Sequence, residues 1–239
     1  MYGSMQHSSY DTVAISASIP TKEPIRKRIL VVDDHPIVRQ GLAQFINQER
    51  DMTVCAEASD GFEAMTAIEQ ASPDLVIVDI QMEGINGMDL VRNVKAQYPD
   101  LPVLMLSMHD ESLYAERALR AGARGYVMKQ EDPRNVIHAI RRVLRGEVYV
   151  SDQAASKILK LLSGGADHAS PVDRLSNREL EVLRMIGEGY RTRHIAEKLT
   201  LSTKTVESYK ARLKQKILLK DAAELARYAA EWVKSTRKM

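Results

Sequence analysis

The chain has 239 residues, enough for two domains, and its single cysteine excludes an internal disulfide framework and suits a reducing compartment. No apolar stretch approaches the roughly 20 residues that a membrane span needs, and the N-terminus lacks the pattern of a secretion signal, so we expect a soluble, cytoplasmic protein without a membrane partner. The net charge of +2 divides into −5 for residues 1–172 and +7 for residues 173–239, which suggests an acidic module and a basic one with different partners.

Residues 1–24 are rich in Ser and Thr and lack hydrophobic periodicity, which predicts a disordered tail. A regular alternation follows. Apolar runs typical of buried parallel strands cover 29–32, 52–57, 75–78, 103–106 and 125–128. Amphipathic segments predict helices that begin at Pro36 and cover 61–71, 87–97, 111–121 and 133–145. In the first helix Val38, Leu42, Phe45 and Ile46 share one face, which we expect to be buried. Five strand–helix repeats over 27–148 predict an α/β fold with a doubly wound, five-stranded parallel sheet.

Beyond this region the predicted elements are all helical. A helix over 151–162 and a Gly- and Ser-containing stretch at 163–171 predict a linker within 149–172. Ser176 and Glu179 form a capping box before an apolar helix. A short helix at 192–199, a turn at 200–202 and a longer helix at 203–217 follow, and Asp221 and Glu224 suggest a second box that opens a final helix to about Trp232. Two helices joined by a three-residue turn match a helix-turn-helix, so residues 173–239 are predicted to form a smaller, all-α domain of four helices.

Five polar residues stand at or just past the carboxyl ends of the predicted strands: Asp33, Asp34, Asp79, Ser107 and Lys129. In an open parallel sheet these strand ends converge on one crevice, where such folds bind their ligands. Taken singly, each residue would be read as a turn, cap or surface residue. Their joint order along the chain predicts a pocket with three carboxylates, a hydroxyl and an ammonium group.

Three carboxylates resist joint ionisation unless a cation compensates them, and Mg²⁺ prefers oxygen ligands of this kind. Asp34 and Asp79 are the best direct ligands, Asp33 would act directly or through water, and the backbone carbonyl of Gln81 is a further candidate. A carboxylate so placed can itself be the nucleophile and form an aspartyl phosphate, for which Asp79 is the candidate. Lys129 could then pair with a phosphoryl oxygen, and the Ser107 hydroxyl could donate to another.

The helix at 203–217 has Val206, Tyr209, Leu213 and Ile217 along one side, spaced for packing. Polar, basic and small residues occupy the rest of its surface and suit contacts to base edges and phosphates in the major groove. The candidate DNA-binding residues are Lys204, Thr205, Glu207, Ser208, Lys210, Ala211, Arg212 and Lys214. Lys210, Lys214 and Lys216 are expected to meet the phosphate backbone.

Three segments resemble the receiver domain of bacterial two-component response regulators: Val31-Val32-Asp33-Asp34-His35-Pro36, the stretch from Asp79 to Gly87, and Gly125-Tyr126-Val127-Met128-Lys129. The resemblance covers about 27–148. It implies a flavodoxin-like receiver in which Asp79 accepts phosphate from a sensor histidine kinase and Mg²⁺ is held by Asp33, Asp34 and Asp79. It also implies that Ser107 and Tyr126 are a switch pair that couples phosphorylation to the distal face.

Two further segments resemble the LuxR-type helix-turn-helix: the stretch from Leu175 to Leu183, and Ile195-Ala196-Glu197-Lys198-Leu199 continuing to Glu207. This match covers about 173–235, and the whole chain resembles the NarL/FixJ class of response regulators. Glu207 occupies a position that is often basic in that class, and there it could accept a hydrogen bond from a cytosine amino group.

Together these resemblances imply a phosphorylation-switched transcription factor rather than an enzyme. Its partners would be a sensor histidine kinase and double-stranded DNA, with a homodimer expected after phosphorylation and RNA polymerase as a further partner. Two alternatives remain at this stage: a regulator that acts through protein contacts without DNA, and a Mg²⁺-dependent phosphohydrolase. A nucleotide hydrolase is disfavoured because the chain lacks a glycine-rich phosphate loop that ends in Lys-Ser or Lys-Thr.

Overall fold

The first part of the chain folds around one parallel sheet. The computed structural model describes residues 26–82, 86–108, 110–162 and 171–236. The strands are β1 Lys27–Val32, β2 Met52–Ala58, β3 Leu75–Asp79, β4 Val103–Ser107 and β5 Gly125–Met128. The helices that follow them are α1 Pro36–Asn47, α2 Gly61–Ala71, α3 Gly87–Gln97, α4 Glu111–Ala121 and α5 Pro133–Leu144. The predicted five-stranded α/β fold is thereby confirmed.

The strands lie side by side in the order β2-β1-β3-β4-β5, and every pair is parallel. The chain reverses its direction of winding between β1 and β3, which makes the carboxyl ends of these two strands the switch point of the sheet. All residues of β3 and β4 are buried, as expected for strands covered by helices on both faces. This order brings the ends of β1, β3, β4 and β5 to one edge.

The second part of the chain is helical, as predicted. It comprises α6 Asp152–Leu162, a 3₁₀ turn at Pro171–Arg174, α7 Asn177–Gly187, α8 Thr192–Lys198, α9 Thr203–Ile217 and α10 Ala222–Thr236. The capping box at the start of α7 is present: Glu179 N–H donates to Ser176 Oγ, and Ser176 N–H donates to Glu179 Oε2 at 2.7 Å. Val206, Leu213 and Ile217 of α9 are buried against the neighbouring helices, which confirms the predicted packing stripe.

Some expectations differ from the structure or lie outside it. The tail over residues 1–24 and the linker stretch 163–170 lie outside the described residues. Phe45 remains 46% exposed because it borders a groove between α1 and α5 instead of facing the sheet. The final helix continues to Thr236, past the expected end at Trp232.

The two parts of the chain contact each other through α4. Arg117 donates to the carbonyl oxygens of Val172 at 2.9 Å and Leu175 at 2.6 Å, both in the segment that leads into α7. Since Arg117 lies on the receiver-like fold, these bonds hold the start of the helical domain against it. Among the described residues, no helix combines the length and apolar character required to cross a bilayer.

Candidate functional site

An acidic pocket lies where β1 and β3 end. Asp33 is 2% exposed and Asp79 is 4% exposed, while Asp34 is partly buried beside them. One ligand atom from each of Asp33, Asp34, His35 and Asp79 lies within 4.8 Å of the others. The strand ends thus bring the three predicted carboxylates together, and they are close enough to share one small cation.

Lys129 joins two of these carboxylates directly after β5. Its Nζ lies 2.6 Å from Asp33 Oδ2 and 2.8 Å from Asp79 Oδ2, and its side chain is only 7% exposed. Burial lowers the pKa of Lys129, but the carboxylates of Asp79 and Asp33 outweigh that effect and raise it. The ammonium group therefore stays charged between the two acids.

Burial dominates the ionisation of Asp79. It raises the pKa of this carboxyl to about 6, although the nearby Lys129 charge and a hydrogen bond from the Gln81 backbone N–H both lower it. The Asp33 carboxylate adds to the rise. One lysine shared between two buried acids therefore does not compensate Asp79 fully, and the pocket keeps an affinity for additional positive charge.

Two neighbours of the pocket were given no role from the sequence. His35 Nδ1 lies 2.5 Å from Asp34 Oδ1, and its backbone N–H donates to Asp33 Oδ1 at 2.9 Å. Arg39, one turn into α1, donates from Nη1 to the Asp33 carbonyl oxygen at 2.5 Å. Their position in the sequence could have identified both, because each lies within about one helical turn of the paired aspartates. These contacts orient Asp33 and Asp34 at the head of α1.

The chain after β3 passes very close to the strand end. Gly87 N–H donates to the Ile80 carbonyl oxygen at 2.9 Å, and a Cβ at position 87 would lie 1.9 Å from the Asp79 carbonyl oxygen. Asn86 caps α3 by accepting from Met88 N–H. Only glycine allows this approach, so α3 begins directly against the residue proposed from the sequence as the phosphoacceptor.

Ser107 and Tyr126 form a buried pair on the next two strands. Both side chains are 0% exposed, and their hydroxyl groups are hydrogen-bonded. Burial raises the pKa of Tyr126 well above its usual value, so the phenol stays neutral. Tyr126 therefore points inward, one hydrogen bond away from the acidic pocket.

The outer face of α9 carries the candidate DNA contacts. Ser202 caps the helix by accepting from Thr205 N–H at 3.0 Å. Of the eight candidate residues, five are exposed and three are half-buried: the exposed ones are Lys204, Glu207, Ser208, Ala211 and Arg212, and the half-buried ones are Thr205, Lys210 and Lys214. This face is therefore open to solvent in the described arrangement.

Internal ion pairs modify the charge of that face. Glu207 Oε1 accepts from Lys210 Nζ and from Thr192 Oγ1, both at 2.8 Å, and these bonds lower the pKa of Glu207. Lys216 Nζ lies 2.6 Å from Glu179 Oε2, so this lysine, expected to meet the DNA backbone, instead braces the capping box of α7. The exposed positive charge of α9 thus centres on Lys204 and Arg212.

Two family models match the chain, one on each module. Residues 29–141 match the model described as "Response regulator receiver domain", and residues 173–229 match "Bacterial regulatory proteins, luxR family". The first match contains the acidic pocket, Ser107, Tyr126 and Lys129. The second contains α7, α8 and α9.

The chain is also similar to named regulatory proteins and to solved structures of response regulators. The "Oxygen regulatory protein NreC" of Staphylococcus carnosus is 38% identical over 208 residues, which cover 84% of this chain and 96% of that protein. The solved structure of RcsB from Salmonella enterica serovar Typhimurium, bound to promoter P1flhDC in the presence of phosphomimetic BeF3−, is 27% identical with a TM-score of 0.59, over 86% of this chain and 99% of that one. A LuxR-family two-component response regulator from Aurantimonas sp. SI85-9A1 is 35% identical with a TM-score of 0.54, over 58% of this chain and 99% of that one.

Proposed function

The chain belongs to the response regulators that join a receiver domain to a LuxR-type DNA-binding domain, and from this premise we propose that a sensor histidine kinase phosphorylates Asp79 and thereby controls its binding to specific DNA sites. As a member of this family the protein regulates transcription through DNA binding and is not a catalytic enzyme in the usual sense. The product of its chemistry is a modified state of the protein itself. Because DNA is its target, we assign its action to the cytoplasm.

The acidic pocket is the observation that carries the proposal. Asp79 ends β3 at the switch point of the sheet, and its carboxylate oxygen is the nucleophile that forms the new bond to phosphorus. Lys129, 2.8 Å from Asp79 Oδ2, is placed to pair with a phosphoryl oxygen once that carboxylate has been converted to an acyl phosphate. The Ser107 hydroxyl, at the end of β4, is placed to donate to a second oxygen.

The donor set fits Mg²⁺. Asp33, Asp34 and Asp79 offer hard oxygen ligands within 4.8 Å of one another, and Lys129 alone leaves excess negative charge among them. We assign the ion to these three carboxylates, with the Gln81 backbone carbonyl as a further ligand. When bound, Mg²⁺ would supply positive charge against the phosphoryl oxygens.

The Ser107–Tyr126 hydrogen bond is the proposed route out of the pocket. A phosphoryl group on Asp79 would compete for the Ser107 hydroxyl, so Tyr126 would lose its partner or exchange it. Because Tyr126 is already buried inward, the signal is a change of hydrogen bonding rather than a rotation from solvent. The altered face of the receiver then changes domain packing or dimerisation.

The DNA-binding domain would read sites through α9. We assign Lys204, Arg212 and the small residues Ser208 and Ala211 to base edges and nearby phosphates. A homodimer formed after phosphorylation would place two such helices about 34 Å apart on a two-fold-related site. RNA polymerase is the partner through which a bound dimer would act on transcription.

Phosphate labelling tests the acceptor assignment. With ³²P-labelled acetyl phosphate and Mg²⁺, the wild-type chain should gain one acid-stable, base-labile label. Asp79→Asn should abolish it, while Asp100→Asn, an exposed site, should leave it unchanged. Undiminished labelling of Asp79→Asn would refute the assignment, and continuous release of phosphate at many turnovers per chain would indicate a phosphohydrolase.

DNA binding tests the output. Footprinting is done on the promoter DNA that flanks the gene for this protein, with and without acetyl phosphate. Protection should strengthen on phosphorylation of the wild-type chain, and this strengthening should be absent for Asp79→Asn. Arg212→Ala should weaken binding in both states, whereas Lys234→Ala, at the end of α10, should not. If the protection were the same with and without the phosphodonor, phosphorylation of Asp79 would not control DNA binding.

A further inference from the structure

The cavity above Asp79 has walls from both domains. Its volume is about 280 Å³, and Asp79, Ser107 and Lys129 line its floor together with Asp34 and Gln81. His35, Met82 and Met108 of the receiver complete one side, and the opposing wall comes from the DNA-binding domain, through Arg178 of α7 and through Lys198 and Leu199 at the end of α8. The phosphoacceptor pocket is therefore a composite of two domains.

A chain of hydrogen bonds, buried at Glu181 and partly buried at Arg178, holds this wall in place. Asn86 Nδ2 donates to Glu181 Oε1 at 2.7 Å, and Arg178 Nη1 donates to Glu181 Oε2 at 2.8 Å. Arg178 Nη2 then donates to the Leu199 carbonyl oxygen at 3.2 Å. The chain runs without a gap from the loop beside Asp79 to the end of α8 that covers the cavity.

Because Glu181 is buried, the contact between α7 and the receiver depends on the partners of this carboxylate. Its side chain is 2% exposed, and burial raises its pKa despite the Arg178 charge and the Asn86 bond. A buried carboxylate is strongly disfavoured without partners, so the loss of Asn86 would favour separation of α7 from the receiver. Arg117, which bonds the Val172 and Leu175 carbonyls, is a second and independent anchor.

From this geometry, and resting on the proposed role of Asp79, we propose that the DNA-binding domain selects the phosphodonor. In the closed arrangement the pocket admits small acyl phosphates and phosphoramidates and excludes a phosphohistidine presented on another protein. A cavity of about 280 Å³ suits a small molecule. It has no room for the surface of a folded partner, since even one helix with its side chains is about 10–12 Å across.

The three kinds of donor undergo the same displacement. The Asp79 carboxylate oxygen bonds to phosphorus as the donor's bond to phosphorus breaks. Acetyl phosphate releases acetate, which keeps the electron pair, phosphoramidate releases ammonia from its protonated nitrogen, and phosphohistidine releases imidazole, which takes a proton from water. Arg178, which is paired with Glu181, and Lys198 line the cavity, and the Lys198 charge favours the approach of a small anionic donor. Phosphoryl transfer from a kinase uses the same residues around Asp79, but it requires that the DNA-binding domain move away from the cavity.

Two variants are designed to move the DNA-binding domain away from the cavity, and each removes a different contact between the domains. Asn86→Asp keeps an N-cap acceptor for Met88 N–H but replaces the amide donor with a carboxylate facing Glu181. Arg117→Met removes the second anchor without touching the acidic pocket. Arg145→Met, whose partner Glu147 lies two residues away, is the matched control for loss of an arginine. Small-angle scattering measures the opening as an increase in the radius of gyration.

Initial rates of Asp79 labelling then test whether the DNA-binding domain selects the phosphodonor. The donors are acetyl phosphate, phosphoramidate, and an autophosphorylated histidine-kinase transmitter chosen because it transfers to the wild-type chain. Asn86→Asp and Arg117→Met should each accelerate transfer from the transmitter about tenfold, a typical coupling between sites, and alter the small-donor rates less than about twofold. Arg145→Met should match the wild type with every donor.

Other outcomes have distinct meanings. Equal acceleration by all donors, or no acceleration of transmitter transfer in an opened variant, would overturn donor selection. An unchanged radius of gyration in both variants would show that these contacts do not hold the wall, which also overturns it. Labelling that survives in Asp79→Asn would instead refute the proposed function on which the inference rests.

Discussion

The Lys129 ammonium lies 2.8 Å from the Asp79 carboxylate, yet burial still raises the pKa of Asp79 to about 6. The same lysine also serves Asp33, so its charge is shared. The pocket is thus held in a state that favours either a proton or another cation. This imbalance suits a site that must accept a phosphoryl group and its counter-ion, and it has a cost in stability.

That cost predicts a pH-dependent effect of Asp79→Asn. Because the folded pKa lies above the ordinary value of 3.8, the ionisation of Asp79 removes stability from the wild-type chain as the pH rises from about 4 to about 6. At pH 7 without divalent cations, the variant should exceed the wild type by about 1–3 kcal/mol in the free energy of unfolding, at about 1.4 kcal/mol for each pKa unit. The difference should vanish below pH 4.

Urea unfolding between pH 4 and pH 7.5 measures this difference. Asp100→Asn, which removes an exposed carboxylate, should show no comparable pH dependence. If the wild type were the more stable at pH 7, the attraction of Lys129 would outweigh the burial of Asp79, and the argument for a charge-deficient pocket would be wrong.

A second prediction concerns Mg²⁺ and the acidic pocket. A ligand that binds only the folded chain stabilises it by about 2.7 kcal/mol at 100 times its Kd, enough to raise the Tm by several degrees. We expect such a shift for the wild type and its loss in Asp34→Asn. Gln81→Ala should keep it, because only the backbone carbonyl of Gln81 is assigned to the ion. Calorimetric scans with Mg²⁺ or EDTA make the comparison, and an equal shift in Asp34→Asn would remove that residue from the ligand set.

The placement of Asp79, Ser107 and Lys129 could be predicted because parallel strands share one direction, so residues at their ends meet at one edge. Local rules also predicted the capping box of Ser176, since its partners are three residues apart. The contact of Asn86 with Glu181 could not be predicted in this way. It joins residues 95 positions apart and depends on how two domains pack, for which neither periodicity nor motif gives a signal.

A third prediction concerns Glu207 on α9, the helix that we propose reads DNA. Its carboxylate is bonded to Lys210 and Thr192, so Glu207→Gln should release the Lys210 charge toward phosphate. Affinity for random duplex DNA should rise, and the slope of log K against log salt should steepen by about 0.9 for one added phosphate contact. Fluorescence anisotropy at several salt concentrations measures both quantities.

The control for this variant is Glu231→Gln, the same charge change on an exposed position of α10. It should leave the salt slope unaltered. A variant Glu207→Gln that binds random DNA more tightly but its own operator more weakly would show that Glu207 also reads a base. A slope equal to that of the wild type would mean that Lys210 already meets phosphate while it is paired.

The last prediction compares two glycines whose surroundings differ. A Cβ at Gly87 would lie 1.9 Å from the Asp79 carbonyl oxygen and 2.9 Å from the Ile80 Cα, and neither backbone atom can move aside by a rotamer change. Gly87→Ala should therefore destabilise the chain by about 1–3 kcal/mol and displace the strand end that carries Asp79, which slows labelling by acetyl phosphate.

Gly41, within α1, has no atom within 4 Å of its would-be Cβ apart from its chain neighbours and the nearby backbone of its own helix. Gly41→Ala should stabilise the chain by about 0.5–1 kcal/mol through helix propensity and leave labelling unchanged. Urea unfolding and acetyl-phosphate labelling of both variants give the comparison. If acetyl phosphate labelled Gly87→Ala at the wild-type rate, the prediction would be wrong. The close approach of α3 to β3 would then not be needed to hold Asp79 in its reactive position.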